Sequence, residues 1–315
     1  MMKNFVLSDK GIQQLIKKNI LTITPGVSQE QFQPASVDLR ISQARVFHDG
    51  KDYSFSNKDI VLAPNAQFLA TFREKVFLHP DYDLFFELRS SRGRMLLEPL
   101  EYFFHRESGN IFFRGINRNI NEIVLPKHSK FGQILIHSPK ETDYTGSLIT
   151  NKKQLKSVFP NLKNKWVNKN GELLFGVNKV FEINKLNDLL LAGKIYEDLL
   201  SQKEFEQKEV MLDLNKSYLL ELSPRVDTAD NLAIMLHRFN TQNTHKMIFS
   251  GWIDPGYKGK ISGHFYGSKS KLITQNTPLI KGSVFKFKDG AIENLYGSKN
   301  LNNHYADANQ IISRS

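Results

Sequence analysis

The feature that most limits what this chain can fold into is an internal repeat. Residues 60–77, IVLAPNAQFLATFREKVF, lie over residues 210–227, VMLDLNKSYLLELSPRVD, at a constant offset of 150 and without a gap. Leu62 falls on Leu212, Asn65 on Asn215, Phe68 on Tyr218, Leu69 on Leu219 and Val76 on Val226. The register continues through Gly109 and Gly259, Ile111 and Ile261, Ile123 and Ile273, Gly132 and Gly282, and Ile134 and Val284. Similarity held at one spacing for about 75 residues is the mark of a duplicated unit. The unit is built of short alternating runs, such as SVDLRIS, QFLATF, NIFFRGI and FGQILIH, punctuated by Gly, Pro, Asn and Asp, which is the pattern of strands and turns. The expected fold class is therefore all-β, with two tandem β-domains and a few peripheral helices.

Helical spacing occurs in two places. Residues 8–18, SDKGIQQLIKK, carry an N-cap Ser8 and apolar Ile12, Leu15 and Ile16, which predicts a short amphipathic helix. Residues 184–205 place Leu186, Leu189, Leu190, Ile195 and Leu199 along one helical face, which predicts a packing helix inserted in the second domain. The expected organisation is a first β-domain over 1–140, a Lys- and Asn-rich linker over 141–170, a second β-domain over 171–296 and a flexible tail over 297–315.

Charge points to an anionic partner: 43 Lys+Arg against 32 Asp+Glu give a formal +11. Much of the excess lies in residues 150–172, TNKKQLKSVFPNLKNKWVNKNGE, whose polar character reads as a solvated connector in preference to a nucleic-acid surface. The chain has no Cys, which excludes disulfides, thiolate zinc sites and a cysteine nucleophile, and suits a reducing compartment. No apolar run reaches the roughly 18 residues of a membrane span, and the first residues lack the apolar core of a signal peptide, so the expectation is a soluble cytoplasmic protein with no membrane partner.

The two copies differ where polar chemistry would sit. Copy one has RSSRGR at 89–94 where the constant offset puts FNTQNT, and copy two has IDPGYKG at 253–259 where copy one has FFHRESG. Each copy keeps a half that the other lacks, which suggests one composite site, although drift of two structural copies gives the same pattern. RSSRGR gathers two hydroxyls and three guanidinium groups in six residues, and guanidinium is suited to bidentate phosphate contacts. In GWIDPGYKG, Pro255 fixes the backbone after Asp254 and Gly256 permits a tight turn, so one carboxylate is held at one point in space. An ordinary polar turn is the simpler reading of either motif alone.

Taken together, QPASVDLRIS (33–42), RSSRGR (89–94), FGQILI (131–136) and GWIDPGYKG (251–259) resemble the dCTP deaminase and dUTPase superfamily, and most closely the longer bacterial dCTP deaminases in which two such domains are fused. The resemblance implies two dUTPase-like distorted β-barrels and a zinc-free conversion of dCTP to dUTP with release of ammonia. It implies magnesium bound with the triphosphate and assembly around three-fold interfaces, as in a homo-trimer. Carried over by position, Ser90 and Arg94 take catalytic roles and Arg89, Ser91 and Gln133 bind substrate. Asp254 receives the deoxyribose hydroxyl and Tyr257 packs against the sugar. Asp38 falls near metal-bound phosphates in the resemblance, while an internal salt bridge with Arg40 or Arg45 is the alternative. The residues 296–315 share the Tyr, Gln and Ser-Arg of tails that close over phosphates.

One departure matters for the chemistry. The carboxylate that activates water in the family lies five residues beyond the turn's last Gly; here that position is His264, and its partner in copy one is Arg114. Imidazole is able to act as a general base near neutral pH. The first expectation is thus a dCTP deaminase-like enzyme with His264 in the catalytic set. The alternatives are diphosphate release from dUTP, or a protein that binds deoxynucleotide without reacting.

Overall fold

A computed structural model of the chain describes residues 5–56, 58–89, 92–93, 95–184, 190–191, 200–213, 216–238, 246–248, 251–266 and 270–295. The described residues are mostly strand, with two α-helices, Asp9–Lys17 and Lys152–Val158. The first is the helix expected from the sequence. Ser8 accepts a hydrogen bond from the backbone of Gly11, and the Asp9 carboxylate accepts from the backbones of Glu293 and Asn294, so the start of the chain is tied to the end of the second half.

The duplication holds strand by strand. In the first half, Gln67–Phe72 lies between Ser36–His48 and Asn110–Asn117; in the second, Ser217–Asp227 lies between Leu173–Ile183 and Lys258–Tyr266. Leu69 faces Arg114 and Leu219 faces His264, and Phe68 faces Gly115 as Tyr218 faces Phe265. A bulge breaks the first pairing between Ile41 and Gln43 and recurs between Val177 and Lys179. A conserved bulge bends both sheets at the same place, and its recurrence is evidence of common architecture independent of residue identity.

Alternation buries one face of each sheet in its own core. Phe68, Phe72, Phe86, Phe113 and Phe131 pack together in the first half, and Phe175, Tyr218, Leu220, Phe265 and Val284 in the second. A third cluster mixes the halves: Val6, Ala35 and Leu135 from one side meet Met235, Trp252, Phe285 and Phe287 from the other. Burying each of the large side chains in this seam contributes about 2–3 kcal/mol. Strand Thr145–Leu148 joins the halves into one sheet, pairing with Phe5–Leu7 and with Pro278–Phe287.

Three readings of the sequence need correction. The 150 offset is not unbroken: Gln133 faces Glu87 while its counterpart Ser283 faces Met235, so strand Asp83–Leu88 matches strand Leu232–Arg238 at an offset of 148. A turn two residues shorter in the second half produces the slip, and RSSRGR therefore corresponds to HRFNTQ (237–242). Residues 150–172 are not a free connector. The helix Lys152–Val158 buries Leu155, and Trp166 and Val167 are buried beyond it, because these apolar groups find the second core. Of the expected helix over 184–205, residues 185–189 and 192–199 lie outside the described residues. Leu190–Leu191 and Leu200–Lys203 are strands, pairing with Ile123–Val124 and with Val180–Ile183, where open strand edges supply backbone partners.

Candidate functional site between the two halves

Strands Ser36–His48, Lys130–Ser138 and Asp83–Leu88 run side by side, with Asp38 opposite Gln133 and Gln133 opposite Glu87. Directly opposed residues of antiparallel strands point to one face, so these three polar side chains form a row across the first half. Arg89, two residues past Glu87, donates to Asp38 Oδ2 at 2.7 Å. Gln33 Nε2 donates to the same oxygen at 3.1 Å, and Lys130 Nζ stands 3.5 Å from it. The Ser36 hydroxyl donates to Gln133 Oε1 at 2.9 Å, orienting the amide.

The second half reaches this row because its chain changes partners. In the first half, Leu97–His105 runs back along Asn110–Asn117 as one long hairpin. In the second, Lys246–Ile248 keeps the equivalent pairing with Lys258–Tyr266, but Trp252–Ile253 leaves it and pairs with Met235 and Ile234. Trp252 packs against Phe285, with ring centroids 5.8 Å apart, and this apolar anchor carries the following turn to the seam. Gly256 takes φ +84° in that turn, a conformation that suits glycine. Buried Thr228 holds the turn, donating from Oγ1 to Asp254 O at 2.9 Å and from its backbone to Tyr257 O at 2.9 Å.

Two reciprocal hydrogen bonds join the halves here. The Ala35 backbone of the first half donates to the Asp254 carboxylate, and the Gly251 backbone of the second donates to Glu87. A Cβ on Gly251 would lie 2.4 Å from Glu87 Oε2, so any larger residue there would displace the carboxylate from this position. Burial pushes both acids up to about 7; for Asp254 the Asp38 charge adds to this, while the Trp252 indole (Nε1 to Oδ1, 3.0 Å), Arg89 and Ala35 oppose it. Burial raises Asp38 as well, against the pull of Arg89 and Lys130. Two of these carboxylates, Glu87 and Asp254, can therefore hold and release protons near neutral pH.

Of the residues expected from the sequence, Arg89, Gln133 and Asp254 come together in this seam. Ser90, Ser91 and Arg94 lie outside the described residues, as does the tail from residue 296. Arg92, between them, is buried and donates to Lys130 O through Nε and Nη2 at 3.2 and 2.7 Å. Its titration is lowered to about 10 by burial and by Arg89. Tyr257 packs against the second core and donates from its hydroxyl to Lys260 O at 2.6 Å. Asp38 pairs with neither Arg40 nor Arg45: Arg40 is held by buried Glu74 at 2.6 Å and Arg45 by Asp52 on the neighbouring strand, leaving Asp38 to Arg89 and Lys130.

His264 occupies a separate row, Phe181–Leu219–His264–Ile248, on the sheet face opposite the second core. It is 1% exposed. That face is turned to the first half: Leu96 packs on Ile183, the Arg118 guanidinium lies 5.5 Å above the Tyr266 ring, and Ser217 Oγ donates to Arg118 O at 3.2 Å. The sequence reading missed Glu87 and Trp252 as seam residues. The available signal was a lone acid in the apolar run LFFEL, as with Asp254 in its own turn.

Among the described residues no group of three or more His, Asp or Glu is arranged to hold a metal. Asp38 Oδ2 is committed to Arg89, Gln33 and Lys130, and a single remaining oxygen, Oδ1, does not make an ion site by itself.

Comparison with known proteins agrees with this architecture. Residues 6–138 match the family model described as dCTP deaminase-like. A crystal structure of 2'-deoxycytidine 5'-triphosphate deaminase from Agrobacterium tumefaciens superposes with a TM-score of 0.74 at 15% identity, over 93% of this chain and 97% of that one. Residues 6–138 are thus similar to the dCTP deaminase-like family, and the chain as a whole shares the all-β fold of that deaminase structure.

Proposed function

We propose that the protein is a dCTP deaminase-type hydrolase whose site is shared between its halves. The observation that carries this is the meeting of the Asp254 turn with the Asp38–Gln133–Arg89 row, on the side where the RSSRGR turn begins. Ser90, Ser91 and Arg94, with Arg89, cradle the triphosphate; Asp254 accepts the deoxyribose hydroxyl, Tyr257 borders the sugar, and Gln133 contacts the nucleotide near its base. Water adds to cytosine C4 as His264 takes its proton, and the same proton leaves with the amino group when the C4–N bond breaks. The products are dUTP and ammonia. The substrate enters as its magnesium complex, and the chemistry uses no zinc.

The same reading makes the protein a cytoplasmic homo-oligomer with neither membrane nor nucleic acid as partner. Support for assembly comes from the first half: Phe47 and Phe103 lie 42% and 55% exposed on the face whose counterpart in the second half is covered. Three-fold closure fits a patch that would meet a different surface on its neighbour.

The test is incubation with magnesium and each of dCTP, dUTP and CTP, with ammonia and nucleotide products quantified. Formation of dUTP from dCTP, lost in both Arg94→Ala and His264→Ala, supports the reading. A second reading, binding without reaction or diphosphate release from dUTP, is favoured by the histidine at position 264. Nucleotide-dependent thermal stabilisation without product identifies the first of these, and dUMP formation the second.

A further inference from the structure

We propose that a cleft on the second half, away from the Asp38 row, is a binding site for a ring-bearing polyphosphate such as a nucleotide. Its origin is visible in the duplication. In the first half, strand Lys75–Leu78 has its outer edge covered by strand Leu21–Thr24. The equivalent stretch of the second half, around Arg225–Asp227, pairs inward with Lys258 and Gly259, and among the described residues no strand covers its other edge. The segment 158–166 stands there instead and leaves a cavity of about 710 Å³. That volume is within the range of small-molecule sites, about 300–1,000 Å³.

The lining has two kinds of surface. Phe159, Leu162, Trp166 and Pro224 supply an apolar floor on which a planar ring would lose water. Lys163, Lys165 and Arg225 supply three cations against one acid, Asp227, so the cleft favours an anion. Lys165 is exposed and its Nζ lies 4.7 Å from the Trp166 ring centroid, which places a charge beside the aromatic floor at the rim. Phosphate at the rim and ring on the floor is the arrangement this division accepts.

The cleft also ends at the candidate site. Asp227 and Ala229 line it, and between them Thr228 is buried and bonded to Asp254 and Tyr257. Gly256 closes the connection, donating to Thr228 O at 2.7 Å. A ligand ordering residues 225–229 therefore acts on the backbone that holds the Asp254 turn, which makes this an effector site. Any influence on dCTP binding must be matched by an equal influence of dCTP on the cleft.

Equilibrium dialysis with ATP tests the proposal without recourse to activity. The wild-type protein should bind ATP, the triple variant Lys163→Ala/Lys165→Ala/Arg225→Ala should bind it about tenfold or more weakly, and Arg89→Ala should bind it as wild type does. In Trp252→Phe, where Trp166 is the remaining tryptophan, ATP should change the emission. Tripolyphosphate should compete more weakly than ATP. Absence of ATP binding at millimolar concentration, or binding lost with Arg89→Ala and kept in the triple variant, would overturn the proposal. Equal affinity for tripolyphosphate would overturn the ring-binding part.

Discussion

Arg114 and His264 hold the same place in the two copies, each opposite a leucine at the same point of the same strand pair. Arg114 is exposed and pairs with Glu101 at 3.2 Å, whereas His264 is almost wholly buried. The sheet is not what differs. The second half's outer face is met by Leu96 and Arg118 of the first half, and the first half's outer face is open at Arg114 and Phe103. Duplication therefore produced one covered and one uncovered version of a single surface, and a covered position is where a group can act on a substrate shielded from water. The Asp254 turn teaches the same lesson, since it follows the point where the chain left its hairpin to pair with strand Leu232–Arg238 beside the seam.

The sharpest way to break the comparison is to change both members of the pair. His264→Ala should lower kcat for dCTP deamination by about 100-fold or more, the range of a lost general base. Arg114→Ala, measured in the same assay, should stay within about twofold. Equal losses would mean that burial does not separate the two positions.

Next in size is the seam itself. Gly251→Ala drives a methyl group against the Glu87 carboxylate, which must swing aside, and should destabilise the protein by about 1 kcal/mol in denaturant unfolding. Glu87→Ala in the same chain should recover part of that loss, because it removes the clashing atoms.

A smaller effect follows from titration. Glu87 and Asp254 have native values raised to about 7, so the folded state holds more protons than the unfolded state between the ordinary carboxylate range and about 7. Their contribution to stability is complete at acid pH and is lost as pH rises through about 7. Thermal midpoints should fall between pH 5 and 7.5, and Glu87→Gln with Asp254→Asn should flatten that slope. A midpoint that rises in the variant-sensitive range would contradict the assignment. The smallest change in folding is expected at the open face. Phe103→Ser should alter unfolding by under about 0.5 kcal/mol while reducing self-association in sedimentation.

Local pattern accounts for what the sequence makes legible. Alternation identified Gln67–Phe72 and its copy, Ser8 marked the first helix, and four motifs in order pointed to the dCTP deaminase-like family whose model matches residues 6–138. Contacts between distant strands account for the rest. Asp38 has arginines two and seven residues away, yet its partners are Arg89 and Lys130, because cross-strand register decides which charge is near. The departure of Trp252–Ile253 from its hairpin has no local signature, and it is this departure that brings Asp254 to the first half. Residues 150–172 misled through their lysines, which lie outside a fold organised by Leu155 and Trp166. Glu87 was passed over because nothing within LFFEL shows that a glycine from the other half closes over it.

The central claim is that the two halves build one nucleotide site, and dCTP affinity in Arg89→Ala, Asp254→Ala and the double variant tests it most directly. Isothermal titration with magnesium present should show each single variant about tenfold or more weaker, and the double variant less weak than the two losses combined, since the groups meet around one ligand. Wild-type affinity in Asp254→Ala would contradict the claim and confine nucleotide binding to the first half.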